Sequence, residues 1–214
     1  MTNESVTKTI SFLIRYGTTT RIAFTTFCLA TFSQHALTED FGETLAQAAI
    51  ERTYHEVRYD GSYFSFDYPN GDVPANIGVC TDLVIRSYRA LGIDLQQQVH
   101  EDMSANFDRY PSRRIWNLSS TDRNIDHRRV PNLQVFFERH GEALEITDKA
   151  EDYVMGDIVT WMLPGNLPHI GIVTNRVSTN SSRPLISHNI GAGPHLEDML
   201  FRYQITGHYR YAPE

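Results

Sequence analysis

The chain has 214 residues, enough for one large domain or two small ones. Hydrophobic residues make up 41% and charged residues 21%, which excludes a disordered tail, a fibrous repeat and a polytopic membrane protein. The formal net charge of −7 argues against a nucleic-acid partner, and two cysteines exclude a disulfide-dense scaffold and a zinc site built on three or four thiolates.

At the start, Lys8, Arg15 and Arg21 face a single acid, Glu4, and the stretch 22–32 then carries no charge. A basic segment followed by a short apolar run is the layout of a secretory signal, and the run is too short for a stable membrane span. Residues 1–36 are therefore expected to be a signal peptide cut near Ala36, with an uncleaved signal anchor as second choice. Residues 37–214 form one domain, expected in the periplasm or secreted, with no stable membrane span after processing. Loss of the leader removes Cys28 and leaves Cys80 alone. A lone thiol in an oxidising compartment is either buried and inert or kept for its chemistry.

Thr38 is placed to cap a helix reaching about Glu56, with Phe41, Leu45, Ala48 and Ala49 on one face. Residues 58–72 are aromatic, with turn signals at Asp60-Gly61 and Asn70-Gly71, and read as a short extended stretch and a loop. From Cys80 the period is helical: Leu83, Val84, Ser87, Tyr88 and Leu91 share a face, and Gly92 stops the run. Asp94 caps a second helix carrying Leu95, Val99, Met103 and Phe107. The polar stretch 108–130 is a long excursion of the kind that shapes a site. Pro131 opens a helix through Phe136 and Phe137, closed by Gly141. After Gly156 the period becomes two, giving four strands: DIVTWML, HIGIVTN, PLISHNI and ITGHYRY. Helices followed by an antiparallel sheet make an α+β order.

Cys80 falls at a loop-to-helix junction. There, backbone N–H groups and the macrodipole stabilise a thiolate, lower its pKa and can hold an oxyanion. The alternative is a structural cysteine on an apolar helix face. His169 opens a strand and could serve as base to the thiol, and His188, in the next strand, could fix its tautomer. Asn189 points to the other face of that strand. Asp126, His127, Arg128 and Arg129 could clamp a carboxylate, or form a structural ion-pair cluster. Trp116, Trp161 and Tyr110 could line a groove, although core packing suits Trp161 as well. His195, His208, His188 and Asp198 could in principle hold a metal, but no ligand spacing supports this, and neither metal nor cofactor is expected.

Taken in order, Tyr68-Pro-Asn-Gly71, Cys80, Gly156-Asp157-Ile158-Val159, His169-Ile-Gly-Ile172 and Ile186-Ser-His188 resemble the NlpC-type cell-wall cysteine peptidases. More closely, the stretch from Tyr54 to Tyr211 is similar to a family of exported bacterial domains of unknown function, through GVCTDLVIRSYRALGIDLQ, NIDHRRVPNL, GDIVTW, LPHIGIV, HNIGAG and ITGHYRY. The resemblance implies a papain-like α+β fold with N-terminal helices packed on a C-terminal antiparallel sheet. It also implies a catalytic triad of Cys80, His169 and His188. Tyr68, twelve residues before Cys80, would match the tyrosine lining the oxyanion side; Asn189 and residues 126–129 are the further candidates for binding substrate. The chain departs from the pattern at Val79-Cys80-Thr81, where those peptidases have Asp-Cys-Ser, and in the nineteen-residue gap from His169 to His188. The implied activity is amide hydrolysis through a thioester, on peptidoglycan stem peptides or another peptide substrate. The alternative is a non-catalytic envelope binding module that keeps the groove.

Overall fold

The computed structural model describes residues 41–213. The expected leader at 1–36, Cys28 and the Thr38 cap lie outside the described residues. Described helix α1 covers 41–52. It stops short of Glu56 because Thr53 turns both its N–H (2.9 Å) and its hydroxyl (2.7 Å) onto the Ile50 carbonyl, ending the ladder. Then come β1 (Arg58–Tyr59), β2 (Ile77–Gly78), α2 (Cys80–Ala90) and α3 (Leu95–Asn106). The polar excursion contains a short helix, α4 (Ser112–Trp116), and 3-10 turns at Phe107–Arg109 and Asp126–Arg128. Helix α5 (Val130–His140) leads into β3 (Glu142–Ala143), β4 (Ile158–Leu163), β5 (Leu167–Val177), β6 (Pro184–Asn189), β7 (Pro194–Glu197) and β8 (Gln204–Arg210). The architecture is α+β, with the helices N-terminal to the main sheet.

That sheet has the order β3-β8-β4-β5-β6-β7, antiparallel throughout. Its faces alternate as strand geometry requires. Ile158, Ile170 and Ile172 join the helix-side core of Leu45, Leu83, Tyr88 and Phe137. Val159, Trp161, Val173 and Ile186 join Tyr153, Met199 and Leu200 in a second core. Cover on both faces explains why β4 and β5 read as nearly continuous apolar runs. Trp161 is fully buried there and donates its indole N–H to the Leu200 carbonyl at 2.9 Å; it is a core residue, not a groove wall. Among the described residues, no helix is long and apolar enough to cross a membrane.

The expected four strands are β4, β5, β6 and β8. The short extended stretch expected at the start of 58–72 is β1, whereas the sequence did not announce β7, a four-residue edge strand behind the Gly191-Ala192-Gly193 turn, nor the two-residue pieces β2 and β3. Elements this short carry too few residues to display a period.

Candidate active site

Helix α2 begins at Cys80 because Asp82, its third residue, reaches back to accept the Val79 N–H at 2.7 Å. Asp82 is itself gripped by Arg128 in a two-pronged pair, Nε to Oδ1 at 2.8 Å and Nη2 to Oδ2 at 2.9 Å, with both side chains buried. Thr81 donates its hydroxyl to the Arg128 carbonyl at 3.1 Å. Arg86, one turn on, donates to the carbonyls of Val73, Pro74 and Ile77 and so anchors the loop that delivers Cys80. Asn189 reinforces that loop from the sheet, donating to the Gly78 carbonyl at 3.4 Å.

The Cys80 sulfur is buried against β5. Backbone N–H groups of Ile170, Thr81 and Cys80 point at it. The Ile170 N–H belongs to the peptide joining that residue to His169, so the sulfur abuts the backbone that carries the imidazole. The expected low-pKa thiolate is overturned. Burial pushes the thiol from 9.0 up to about 12, the nearby Asp82 charge adds to the rise, and the N–H groups oppose it. Three decades correspond to about 4 kcal/mol against the anion, whereas a helix N-terminus supplies at most about 2 kcal/mol. Burial wins, and the resting sulfur is a neutral thiol.

His169 Nε2 lies 2.9 Å from His188 Nδ1, their rings edge-on with centroids 5.1 Å apart. Strand register makes this possible: His188 stands directly opposite Gly171. A Cβ at Gly171 would lie 2.7 Å from Ile186 Cγ2 and 3.1 Å from the His188 Cβ, so only glycine lets the two strands close up here. The far nitrogen of His188, Nε2, lies 3.1 Å from Glu197 Oε2 on β7. Glu197 also pairs with Arg202 and approaches His195 Nε2 at 3.6 Å. Burial lowers the His169 pKa to about 3, with the His188 and His195 charges adding to the fall; burial and then His195 lower His188 to about 4, against the raising influence of Glu197. Both rings are neutral at pH 7.

Neutral rings and one carboxylate fix the proton order. Glu197 only accepts, so His188 carries its proton on Nε2 and accepts at Nδ1; His169 then donates from Nε2 and keeps a lone pair on Nδ1. Glu197 was missed from the sequence. Its signal is the alternation His195-Leu196-Glu197 after a glycine turn, which puts both polar residues on one face of a strand.

Other candidates fall elsewhere. Tyr68 does not border the sulfur: its ring packs on His100 (5.1 Å) and under the Arg123 guanidinium (5.8 Å). The tyrosine that strand pairing brings to the Cys80 loop is Tyr59, in register with Gly78 through the β1–β2 pairing. Counting twelve residues back along the chain selected Tyr68 because the intervening loop hid this pairing. Arg128 is committed to Asp82 and cannot clamp a ligand. His127 is buried and uncharged, its pKa lowered to about 3 by burial and by Arg128. Asp126 is buried, accepts the Asp122 N–H, and has its pKa raised to about 6 by burial. Arg129 alone of the four keeps some exposure. It stacks on Trp116 at 4.3 Å, pairs with Asp126 at 3.3 Å, and lines a cavity of about 450 Å³ with Arg123, His100, Asn124 and Ser120. Tyr110 donates to Asp102 at 2.5 Å and lines a separate cavity of about 510 Å³. Cys80 lines neither cavity. Of the metal candidates, His208 is taken by Asp157 (2.8 Å) and Asp198 by Arg183 (3.0 Å).

A family model described as a domain of unknown function, DUF1287, matches residues 46–211. The chain belongs to that family. The matched DUF1287 segment contains Cys80, His169, His188 and Glu197. The uncharacterised protein YijF of Escherichia coli (strain K12) is 46% identical over 167 residues, which cover 78% of this chain and 80% of that protein. Among solved structures, NlpC1 and NlpC2 of Trichomonas vaginalis each match 79% of this chain at 15% identity with a TM-score of 0.42. The chain spans 44% and 46% of those two proteins.

Proposed function

We propose that this DUF1287 domain is a papain-like cysteine hydrolase, acting in the bacterial envelope on an amide bond of peptidoglycan stem peptides. The observation that carries the reading is a sulfur at a helix start, set against the peptide of a histidine whose tautomer is fixed by a second histidine and a carboxylate. Substrate entry displaces the cover over Cys80. His169 Nδ1 then takes the thiol proton as the sulfur bonds to the peptide carbonyl carbon. The oxyanion is held by the Cys80 and Thr81 N–H groups, with the Tyr59 hydroxyl beside them. The imidazolium gives its proton to the leaving amine, leaving a thioester. His169 next takes a proton from water, whose oxygen attacks the thioester; the acid departs and the thiol is restored. His188 and Glu197 hold the ring in the orientation that both half-reactions need. Because both partners rest neutral, proton transfer accompanies attack, unlike the preformed ion pair of a low-pKa thiol.

One observation favours a second reading, a non-catalytic binding module: Cys80 is only 5% exposed. Incubation with purified muropeptides and mass spectrometry of the products decides between them. The hydrolase yields cleaved peptides from wild type and none from Cys80→Ala. Identical product profiles from the two proteins overturn the proposal, and muropeptide binding without products from either supports the module.

A further inference from the structure

Three side chains converge on one point. One ring nitrogen of His188, one of His195 and a Glu197 carboxylate oxygen all lie within 4.8 Å of one another. The ladder builds this cluster. His188 and His195 are direct cross-strand partners, and Glu197 follows His195 by two residues, so all three side chains leave the same face of the β6–β7 ribbon.

The outer hydrogen bonds aim the donors inward. His195 Nδ1 lies 2.8 Å from the Gly193 carbonyl, which accepts only, so a ring proton sits on Nδ1 and Nε2 is the nitrogen turned toward Glu197 Oε2 at 3.6 Å. His188 is anchored through Nδ1 by His169. Arg202 engages the other carboxylate oxygen, Oε1, and leaves Oε2 to the histidines. At 3.6 Å His195 Nε2 and Glu197 Oε2 stand farther apart than a hydrogen bond, and a cation at the centre would be held by both. Histidines held through their second nitrogen by a carbonyl or another side chain are the outer arrangement of a metal centre.

We propose that His188, His195 and Glu197 form a binding site for a divalent cation of zinc type. Two imidazoles and one carboxylate match the donor set of three-ligand zinc sites, with a fourth position left to solvent. The half-exposed positions of His195 and Glu197 give the ion a way in. The donor set stands without the hydrolase reading. One consequence does rest on it. A metal on His188 Nε2 moves the His188 proton to Nδ1 and reverses the His188–His169 hydrogen bond, so zinc occupancy and the proton order used in hydrolysis exclude each other.

Isothermal titration of the full chain with zinc chloride tests the site. Wild type and Cys80→Ala should bind one ion with similar affinity, in the micromolar range or tighter, while His195→Ala and Glu197→Gln each weaken binding roughly 10- to 100-fold. Equal zinc affinity in wild type, His195→Ala and Glu197→Gln overturns the site, as does the absence of wild-type binding at about a hundredfold above micromolar zinc. His195→Ala alters a half-exposed edge-strand residue, and Glu197→Gln preserves side-chain volume, so the two variants check each other. Where muropeptide turnover is measured, zinc should suppress it in wild type and spare it in His195→Ala. Binding with undiminished wild-type turnover overturns the place of His188 among the ligands.

Discussion

Two histidine–carboxylate clusters are built into the same sheet, and they differ in where their hydrogen bonds end. In the first, Asp157 accepts from His208 (2.8 Å), from both Nε (2.8 Å) and Nη2 (3.1 Å) of Arg210, and from the Val154 N–H (2.9 Å). His208 turns its other nitrogen to the Glu145 carbonyl at 3.1 Å, and Tyr153 stacks on its ring at 4.2 Å. Both carboxylate oxygens of Asp157 and both ring nitrogens of His208 are occupied, and Asp157 is fully buried. In the second, His169, His188 and Glu197 form a chain with two open ends, the His169 Nδ1 that the proposed reaction would use and a carboxylate reached by solvent. Saturation turns a polar cluster into a fastener. An unfinished cluster keeps a lone pair or a proton to use.

That contrast is broken most severely at Asp157. Asp157→Asn removes the charge opposing Arg210 and should destabilise the fold by about 3–5 kcal/mol. Urea unfolding reads this loss, while muropeptide turnover per folded molecule should hold. Glu197→Ala should do the reverse. Stability should change by less than about 1 kcal/mol for a part-exposed group, while turnover should fall roughly 10- to 100-fold, equivalent to about 1.4–2.7 kcal/mol. Equal losses of stability at the two carboxylates, by the same unfolding assay, would erase the distinction.

Acid sharpens it next. Burial holds the His127 pKa down to about 3, so its contribution is complete above 6.5 and is lost as pH falls toward 3. Asp102 is pushed upward by burial, but its bonds from Arg139, Tyr110 and His140 outweigh that and hold it well below 3.8. Its contribution is present above pH 3.8 and is lost on further acidification. Asp126 has the opposite sign: its pKa is raised to about 6, so its contribution is lost as pH rises through that value. His127 is displaced further, and the lowered pKa values of His169 and His188 act in the same direction, so the melting temperature should drop from pH 7 to 4, at about 2–4 °C per kcal/mol. Asp126→Asn should steepen that drop between pH 6 and 4 in thermal scans. The smallest effect is expected at Asn189→Ala, where one long hydrogen bond to Gly78 is lost, for about 0.5–1 kcal/mol in the same scans.

Much of this layout could be read from the residues, and the rest had a physical reason to be hidden. The start of α2 at Cys80, the Asp94 cap, whose carboxylate accepts the Gln96 N–H at 3.0 Å, and four strands all follow from local period and capping. So does the neighbouring placement of His169 and His188, because an antiparallel hairpin is a local event. Pairings across long sequence gaps carry no period. Arg128 meets Asp82 from 46 positions away, and that contact, invisible in the sequence, turns an expected ligand clamp into a support for α2. Tyr59 is brought to Gly78 by two residues of parallel pairing, too little to read in advance. The neutral state of Cys80 was concealed for a different reason. A helix start is a local feature and the sequence reports it, whereas desolvation depends on everything packed overhead.

The ladder also decides where the chain can change length. Because alternate residues leave opposite faces of a strand, one inserted or deleted residue between Leu185 and His188 would swing the imidazole through the sheet to the side where Ser187 now bonds Ala49. The 178–183 hairpin lies past the irregularity that separates Val173 from Val177 in the β5–β6 register, so additions there leave the Gly171–His188 alignment untouched. Homologues should vary in length in that hairpin and stay rigid in count from Ile186 to Glu197.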